Sequence, residues 1–116
     1  MIRQEAKIDK TTGVILEFKE YHNNELILTE RYDDKGELIY KRTLKEEETY
    51  HMGKLHGDKI IYFDNGSHSS KSTFENGELR EVIIYYPNGQ IDIRGTYLNK
   101  NLHGEVIKYH PDGQLE

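Results

Sequence analysis

The sequence predicts an all-β protein, an elongated single-layer antiparallel β-meander of consecutive hairpins. Three observations predict it: a strand-suited composition, a shortage of apolar residues for a layered core, and turn signals that recur at a fixed period. A single alanine (Ala6) stands against 12 isoleucines and 9 tyrosines. Alanine is the best helix former, whereas β-branched and aromatic side chains fit a pleated, half-buried surface. Ala, Val, Ile, Leu, Met, Phe and Gly make up about 35% of the 116 residues, against roughly 45–50% in an ordinary globular domain. Leu, Ile, Val and Phe alone reach about 24%, above the roughly 20% below which chains stay disordered. The chain folds, but around a thin core.

The period sets the elements in order. Glycines recur at Gly13, Gly36, Gly66, Gly89 and Gly113, in steps of 23, 30, 23 and 24 residues. Four residues before each of the last four stands a tyrosine: Tyr32, Tyr62, Tyr85 and Tyr109. Eight residues after each of the first four stands a large apolar residue: Tyr21, Leu44, Phe74 and Tyr97. Leucines follow five residues after Tyr21, Tyr50, Phe74 and Tyr97, at Leu26, Leu55, Leu79 and Leu102. The unit is therefore a repeat of about 23 residues, with six or seven residues inserted near Leu44–Tyr50. Residues 1–116 read as a single repeat domain, in which 1–49 are degenerate copies and 50–116 are clear ones.

Each unit carries two turns. The first series is Thr12-Gly13, Lys35-Gly36, Asn65-Gly66, Asn88-Gly89 and Asp112-Gly113. Asn-Gly and Asp-Gly are the strongest signals for two-residue hairpin turns, because both central residues need positive φ. The second series is Asn23-Asn24, Met52-Gly53, Asn76-Gly77 and Asn99-Lys100, so strands of six to nine residues alternate with turns. From leucine to the next tyrosine is 7 residues in Leu55–Tyr62 and Leu102–Tyr109, but 6 in Leu26–Tyr32 and Leu79–Tyr85. The longer pair carries Leu-His-Gly, and an extra residue accompanied by glycine marks a β-bulge. Bulges are expected near Gly57 and Gly104.

These residues resemble a known family. Tyr50-His-Met-Gly-Lys-Leu-His-Gly-Asp-Lys-Ile-Ile-Tyr-Phe-Asp-Asn-Gly66 and Tyr97-Leu-Asn-Lys-Asn-Leu-His-Gly-Glu-Val-Ile-Lys-Tyr-His-Pro-Asp-Gly113 look like MORN repeats, most of all the bacterial variant. Phe74 to Gly89 is a degenerate copy with Arg80-Glu81 in place of His-Gly. The resemblance implies a twisted one-layer sheet whose repeats touch only their neighbours. It also implies a use in interaction or lipid attachment, with no catalysis by the repeat itself. Small bacterial members include YwqK-like antitoxins.

Other chemistries find little footing. The chain has no cysteine, which excludes disulfides, thiolate metal sites and a cysteine nucleophile. The formal net charge is −5, spread over both halves, so no basic footprint for nucleic acid is visible. No apolar run approaches a membrane span, and Met1-Ile-Arg-Gln-Glu-Ala-Lys lacks a signal-peptide stretch, so a cytoplasmic location is expected. Six histidines invite a metal, yet His56 and His103 share one repeat position, and a repeat-structural role explains both. Glu46-Glu47-Glu48 reads as a solvated loop or strand edge, and Ser67-His68-Ser69-Ser70 lacks an acid to orient its imidazole.

The expectation is a non-catalytic protein-interaction module without metal or cofactor, extending to an antitoxin or immunity protein that grips a partner on a sheet face. The alternative is a structural or scaffold repeat acting through self-association or membrane-surface attachment. Tyr32, Tyr62, Tyr85 and Tyr109 should form one row across the sheet, as core or as partner-binding residues. Gly36, Gly57, Gly66, Gly89, Gly104 and Gly113 are the turn and bulge positions. Gln114-Leu115-Glu116 parallels the start of the strand at Gln90, so an open edge and edge-to-edge association are also expected. A negative chain would steer a basic partner toward itself.

Overall fold

The structure, a computed structural model, describes residues 1–98, 101–112 and 114. The strands are β1 (Ile2–Ile8), β2 (Ile15–His22), β3 (Glu25–Tyr32), β4 (Leu38–Thr43), β5 (Glu46–His51), β6 (Lys54–Leu55), β7 (Gly57–Tyr62), β8 (His68–Glu75), β9 (Glu78–Tyr85), β10 (Ile91–Leu98) and β11 (Asn101–Lys108). They form one open antiparallel sheet in chain order, with the short β6 pairing only β5. The slab measures 54 × 35 × 14 Å and its radius of gyration is 17.4 Å. A compact chain of this length would have a radius of about 13 Å. Among the described residues, Ile83 at 5% exposure and Thr29 at 6% are the only buried side chains. There is no second layer to bury the rest.

The two turn series differ from the expectation in which one is the tight one. Asn23-Asn24 (φ 50 and 70), Met52-Gly53 (52 and 77) and Asn76-Gly77 (50 and 85) are the two-residue turns with both residues left-handed. Gly13 closes a four-residue loop, and Gly36, Gly66 and Gly89 close three-residue ones: Asp33 N–H donates to the Glu37 carbonyl at 2.9 Å and Gly36 N–H to the Asp33 carbonyl at 3.0 Å. Phe63–Ser67 and Tyr86–Gln90 repeat that pattern. Asn65 and Asn88 keep negative φ because their side-chain oxygens accept the N–H groups of Ser67 and Gln90, both at 2.9 Å. Only the glycine goes left-handed, at +83 for Gly36, +88 for Gly66 and +90 for Gly89. This is a right-handed turn followed by a glycine bulge. Gly113 and the Asn99-Lys100 turn lie outside the described residues.

Bulges recur along the sheet, although the β4–β5 pairing is regular. Where β5 passes from β6 to β7 the register moves from Tyr50↔Leu55 to Glu47↔Ile60, skipping Gly57 and Asp58. Gly57 takes φ +85 there. The β10–β11 register moves from Thr96↔His103 to Arg94↔Ile107, which puts the slip at Gly104 and Glu105. The shorter hairpins also slip, by one residue, at Ile27 in β3 and at Arg80 in β9. Glycine thus marks the wider bulges only. At the other strand ends the pairing skips Leu16, Ile39, Ser69 and Asp92, each three residues after a repeat glycine.

The inserted segment is a whole strand, β5, and it changes the geometry of everything after it. Each antiparallel strand reverses direction, so one extra strand puts the loops at Gly66 and Gly89 at the opposite end of the sheet from those at Gly13 and Gly36. Contacts between loops agree. Lys45 in the β4–β5 turn reaches Asp64 at 3.6 Å, and Gly36 faces Val14. The faces swap as well. Thr29, Arg42, Glu47, Ile60, Lys71 and Ile83 are in register across successive strands and therefore share one face, here the front. The repeat equivalent of Ile83 is Glu30, which sits on the back. A shift of one position moves every side chain to the other side.

Gly57→Ala tests the bulge. A Cβ there meets nothing nearer than the Thr49 Cβ at 3.9 Å, so its cost is backbone strain alone. A loss of about 1–2 kcal/mol in denaturant unfolding is expected, and an unchanged midpoint would contradict the left-handed assignment.

Candidate functional site

The front face is organised around β5. Glu47 has Arg42 on one side and Ile60 on the other. Its carboxylate accepts the Tyr40 hydroxyl at 2.6 Å and the Tyr62 hydroxyl at 2.6 Å, with Arg42 Nη1 at 3.5 Å. Arg42 also donates to the Tyr62 hydroxyl at 2.8 Å and, through Nε, to the Thr43 carbonyl at 3.0 Å. Burial pushes the Glu47 carboxyl up, but the two tyrosine hydrogen bonds and the Arg42 charge outweigh it, and the group lies below its ordinary value. Burial, then the Glu47 carboxylate, pushes both tyrosine hydroxyls up.

The arginines are sorted by face. Arg3, Arg31, Arg42, Arg80 and Arg94, all five in the chain, belong to the front or its bulge. Three sit over tyrosine rings: Arg3 over Tyr21 at 4.3 Å, Arg31 over Tyr40 at 4.8 Å, and Arg42 over Tyr62 at 4.0 Å. Cations over ring faces gain about 0.5–1 kcal/mol when exposed. Each arginine also has a carboxylate beside it, as in Arg31 with Glu17 at 3.1 Å and Arg80 with Glu78 at 3.1 Å. At Arg31 and Arg42 the guanidinium is the outer partner, whereas Arg80 is less exposed than Glu75 and Glu78. The Arg31 side chain is 53% exposed over a 28% exposed Glu17, and Arg42 is 39% exposed over a 24% exposed Glu47. The Arg31 hydrogen bond holds the Glu17 carboxyl below its ordinary value.

Charge is divided in the same way across β1–β5. The front carries Arg3, Lys7, Lys19, Arg31 and Arg42 against Glu5, Glu17 and Glu47. On the back, Lys41 stands against Glu20, Glu25, Glu30, Glu46 and Glu48. The three consecutive glutamates are thus neither loop nor edge. They occupy an interior strand, Glu47 on the front and Glu46 and Glu48 on the back, where Lys59 lies 3.6 Å from Glu48.

The expected tyrosine row is broken by the face swap. Tyr62 and Tyr85 share the front with His68 between them, its ring 5.3 Å from one and 5.9 Å from the other. Tyr109, two residues beyond the front residue Ile107, continues that side. Tyr32 stands on the back, its hydroxyl donating to Glu30 at 3.1 Å, because it precedes the odd strand. Tyr40, absent from the row read in the sequence, takes its place beside Glu47. Its position off the repeat period hid it. The face of Arg31 and Arg42 was hidden too, because parity across an irregular insertion must be counted through the pairing.

The histidines are dispersed. His56 accepts the Asn76 N–H through Nδ1 at 3.2 Å and packs on His51 at 5.5 Å; the His103 side chain lies outside the described residues. Among the described residues no three of His, Asp and Glu converge on a point a metal could occupy. Depressions are shallow, and one of about 530 Å³ between His22, Ile27 and Leu44 opens broadly to solvent. Among the described residues no helix is long and apolar enough to cross a membrane.

One open antiparallel sheet of repeated hairpins, with aromatic and glycine positions in phase, defines a β-repeat protein of the MORN class. The chain belongs to the MORN repeat variant family, whose model matches residues 55–80, 81–99 and 102–116, more than half of the sequence. Comparison with curated proteins finds no match. Among solved structures the chain is similar to the crystal structure of TarM, with 16% identity and a TM-score of 0.44, covering 90% of this chain and 21% of that one. The chain therefore spans about a fifth of the length of that protein.

Glu47→Gln tests the carboxylate. With its folded value lowered, the ionised group adds stability that is full above the ordinary glutamate value, about 4.3, and is lost as pH falls through the folded value. The variant is expected to be less stable at pH 7 and to show a flatter decline between about pH 5 and 3 in urea titrations. An identical acid limb in both proteins would remove Glu47 from this role. Tyr62→Phe, which deletes a hydroxyl shared by two charged partners, should cost about 1–3 kcal/mol.

Proposed function

We propose that the 116 residues form one non-catalytic protein-interaction module that docks a partner on the front face, and that this partner is a toxic protein held inactive in a bacterial cytoplasm. The observation that carries the reading is the collection of Arg3, Arg31, Arg42 and Arg94 on one open face, with Arg80 in its bulge and three of the five over tyrosine rings. Arginine and tyrosine are the residues most enriched at the energetic centres of protein interfaces. The depression between Glu5, Lys7, Glu17 and Lys19 on the front is only about 120 Å³, smaller than the pockets that small substrates take, which suits a protein surface. Membership of the MORN repeat variant family supports an interaction role; the antitoxin reading rests on the resemblance of residues 50–66 and 97–113 to small bacterial repeat proteins.

A second reading is edge-to-edge self-association. It is favoured by β1, an end strand with all seven residues exposed. Such an edge offers unpaired N–H and C=O groups to another chain.

Co-expression with the protein encoded beside it tests the first reading. Growth arrest by that protein should be relieved by this chain. Tyr85→Ala on the front should weaken binding by roughly 2 kcal/mol, about thirtyfold, while Tyr32→Ala on the back should leave it intact. No relief by the unaltered chain would reject the antitoxin role, and equal effects of the two substitutions would reject the front face.

A further inference from the structure

We propose that the front face at β3–β5 takes an extended acidic segment of its protein partner, gripped through the terminal amino groups of Arg31 and Arg42; the inference rests on the front being the docking face. The hydrogen bond from Arg31 to Glu17 uses Nε, which leaves both terminal nitrogens available to a ligand. Arg42 spends Nε on the Thr43 carbonyl and Nη1 on Tyr62 and Glu47, which leaves Nη2. Each fork sits over a tyrosine ring, its central carbon 4.8 Å from the ring centre for Arg31 and 4.0 Å for Arg42. A braced guanidinium has less side-chain freedom to lose on binding. Its planar donors match a carboxylate better than the single point charge of a lysine does.

Spacing identifies the shape of the ligand. Arg31 is directly opposite Tyr40, and Arg42 lies two residues further along β4, so the two arginines are diagonal neighbours on one face. Diagonal positions of this kind are about 7–8 Å apart. Carboxylates on alternate residues of an extended chain are about 6.5–7 Å apart, since each residue advances about 3.3 Å. An acidic-x-acidic stretch therefore meets both forks without bending.

Electrostatics favours the same occupant. The net charge of −5 is a property of the whole chain, and it resides on the back of β1–β5 and in other parts of the molecule. On the front of those strands five cations stand over three carboxylates, which are the inner partners at Arg31 and Arg42. Near this face the local field decides, because charges beyond about 8–10 Å are screened at ordinary ionic strength. Steering of a basic partner by the net negative charge therefore belongs to the back.

Titration of the labelled full chain, followed by NMR, is the test. The probe is a ten-residue peptide of alternating glutamate and threonine, with glutamine replacing glutamate in the control. The acidic peptide should bind at least about tenfold tighter at low salt, shift resonances of β3–β5 front residues, and weaken as salt rises. Arg31→Gln should reduce its affinity about fivefold, and Lys41→Gln on the back should not. Arg42→Gln should act in the same direction; since it also loosens Tyr62, Arg31→Gln is the deciding variant. Equal affinity for both peptides, shifts on the back, or capture by phosphatidylserine vesicles in preference to the peptide would overturn the proposal. Loss of partner binding in Tyr85→Ala but not in Arg31→Gln would keep the front face and discard the acidic segment. Retention in both would discard the face itself.

Discussion

Antiparallel pairing reverses direction at every strand, and the rest of this molecule follows from that constraint. A repeat of two strands returns each copy to the same orientation. The single extra strand β5 breaks the even count, so copies after it run end over end and show their equivalent residues on the opposite face. Tyr32 and Tyr62 occupy one repeat position, yet they lie on opposite sides of a slab 14 Å thick. The junction is where two differently oriented arrays must be joined, and Glu47 joins them by holding Tyr40 on β4 and Tyr62 on β7 together.

A single layer changes what counts as a core. With Ile83 and Thr29 the only buried side chains among the described residues, apolar burial is spread thinly over cross-strand neighbours. The exposed surface is 7972 Å², against roughly 6,600 Å² for a compact protein of this mass. Polar and aromatic pairs take over part of the work that packing does elsewhere. Arginine on tyrosine, tyrosine on histidine and tyrosine to glutamate link strand to strand across the front. Such pairs contribute about 0.2–1 kcal/mol each, so stability comes from their number.

Much of this was legible from residue order. The paucity of alanine, the repeat glycines and the phased tyrosines identify a one-layer meander, and the Leu-His-Gly motif locates the wider slip at Gly57. What the sequence conceals is parity. An insertion of six or seven residues could be a loop, which would leave the faces unchanged, or a strand, which exchanges them. Hydrophobic period does not separate these cases, because Glu46-Glu47-Glu48 has no apolar face to read. For the same reason Tyr40 and the arginine face lay beyond sequence reasoning, and a single row of four tyrosines was expected. The turn types were misread locally: Asn65 and Asn88 can enter a left-handed turn, but a side-chain acceptor for the N–H two residues on stabilises the right-handed one.

Neighbour-only pairing also fixes how the molecule would bear a load. Tension applied between β1 and β11 acts across the strands, so each ladder is opened one bond at a time and none is sheared along its length. Every released strand lengthens the chain by up to about 3.3–3.6 Å per residue while the next hairpin stays closed. Under such a pull the sheet yields progressively, as a peeled tape does. The cross-braced strand at Glu47 forms the natural arrest point between its two arrays.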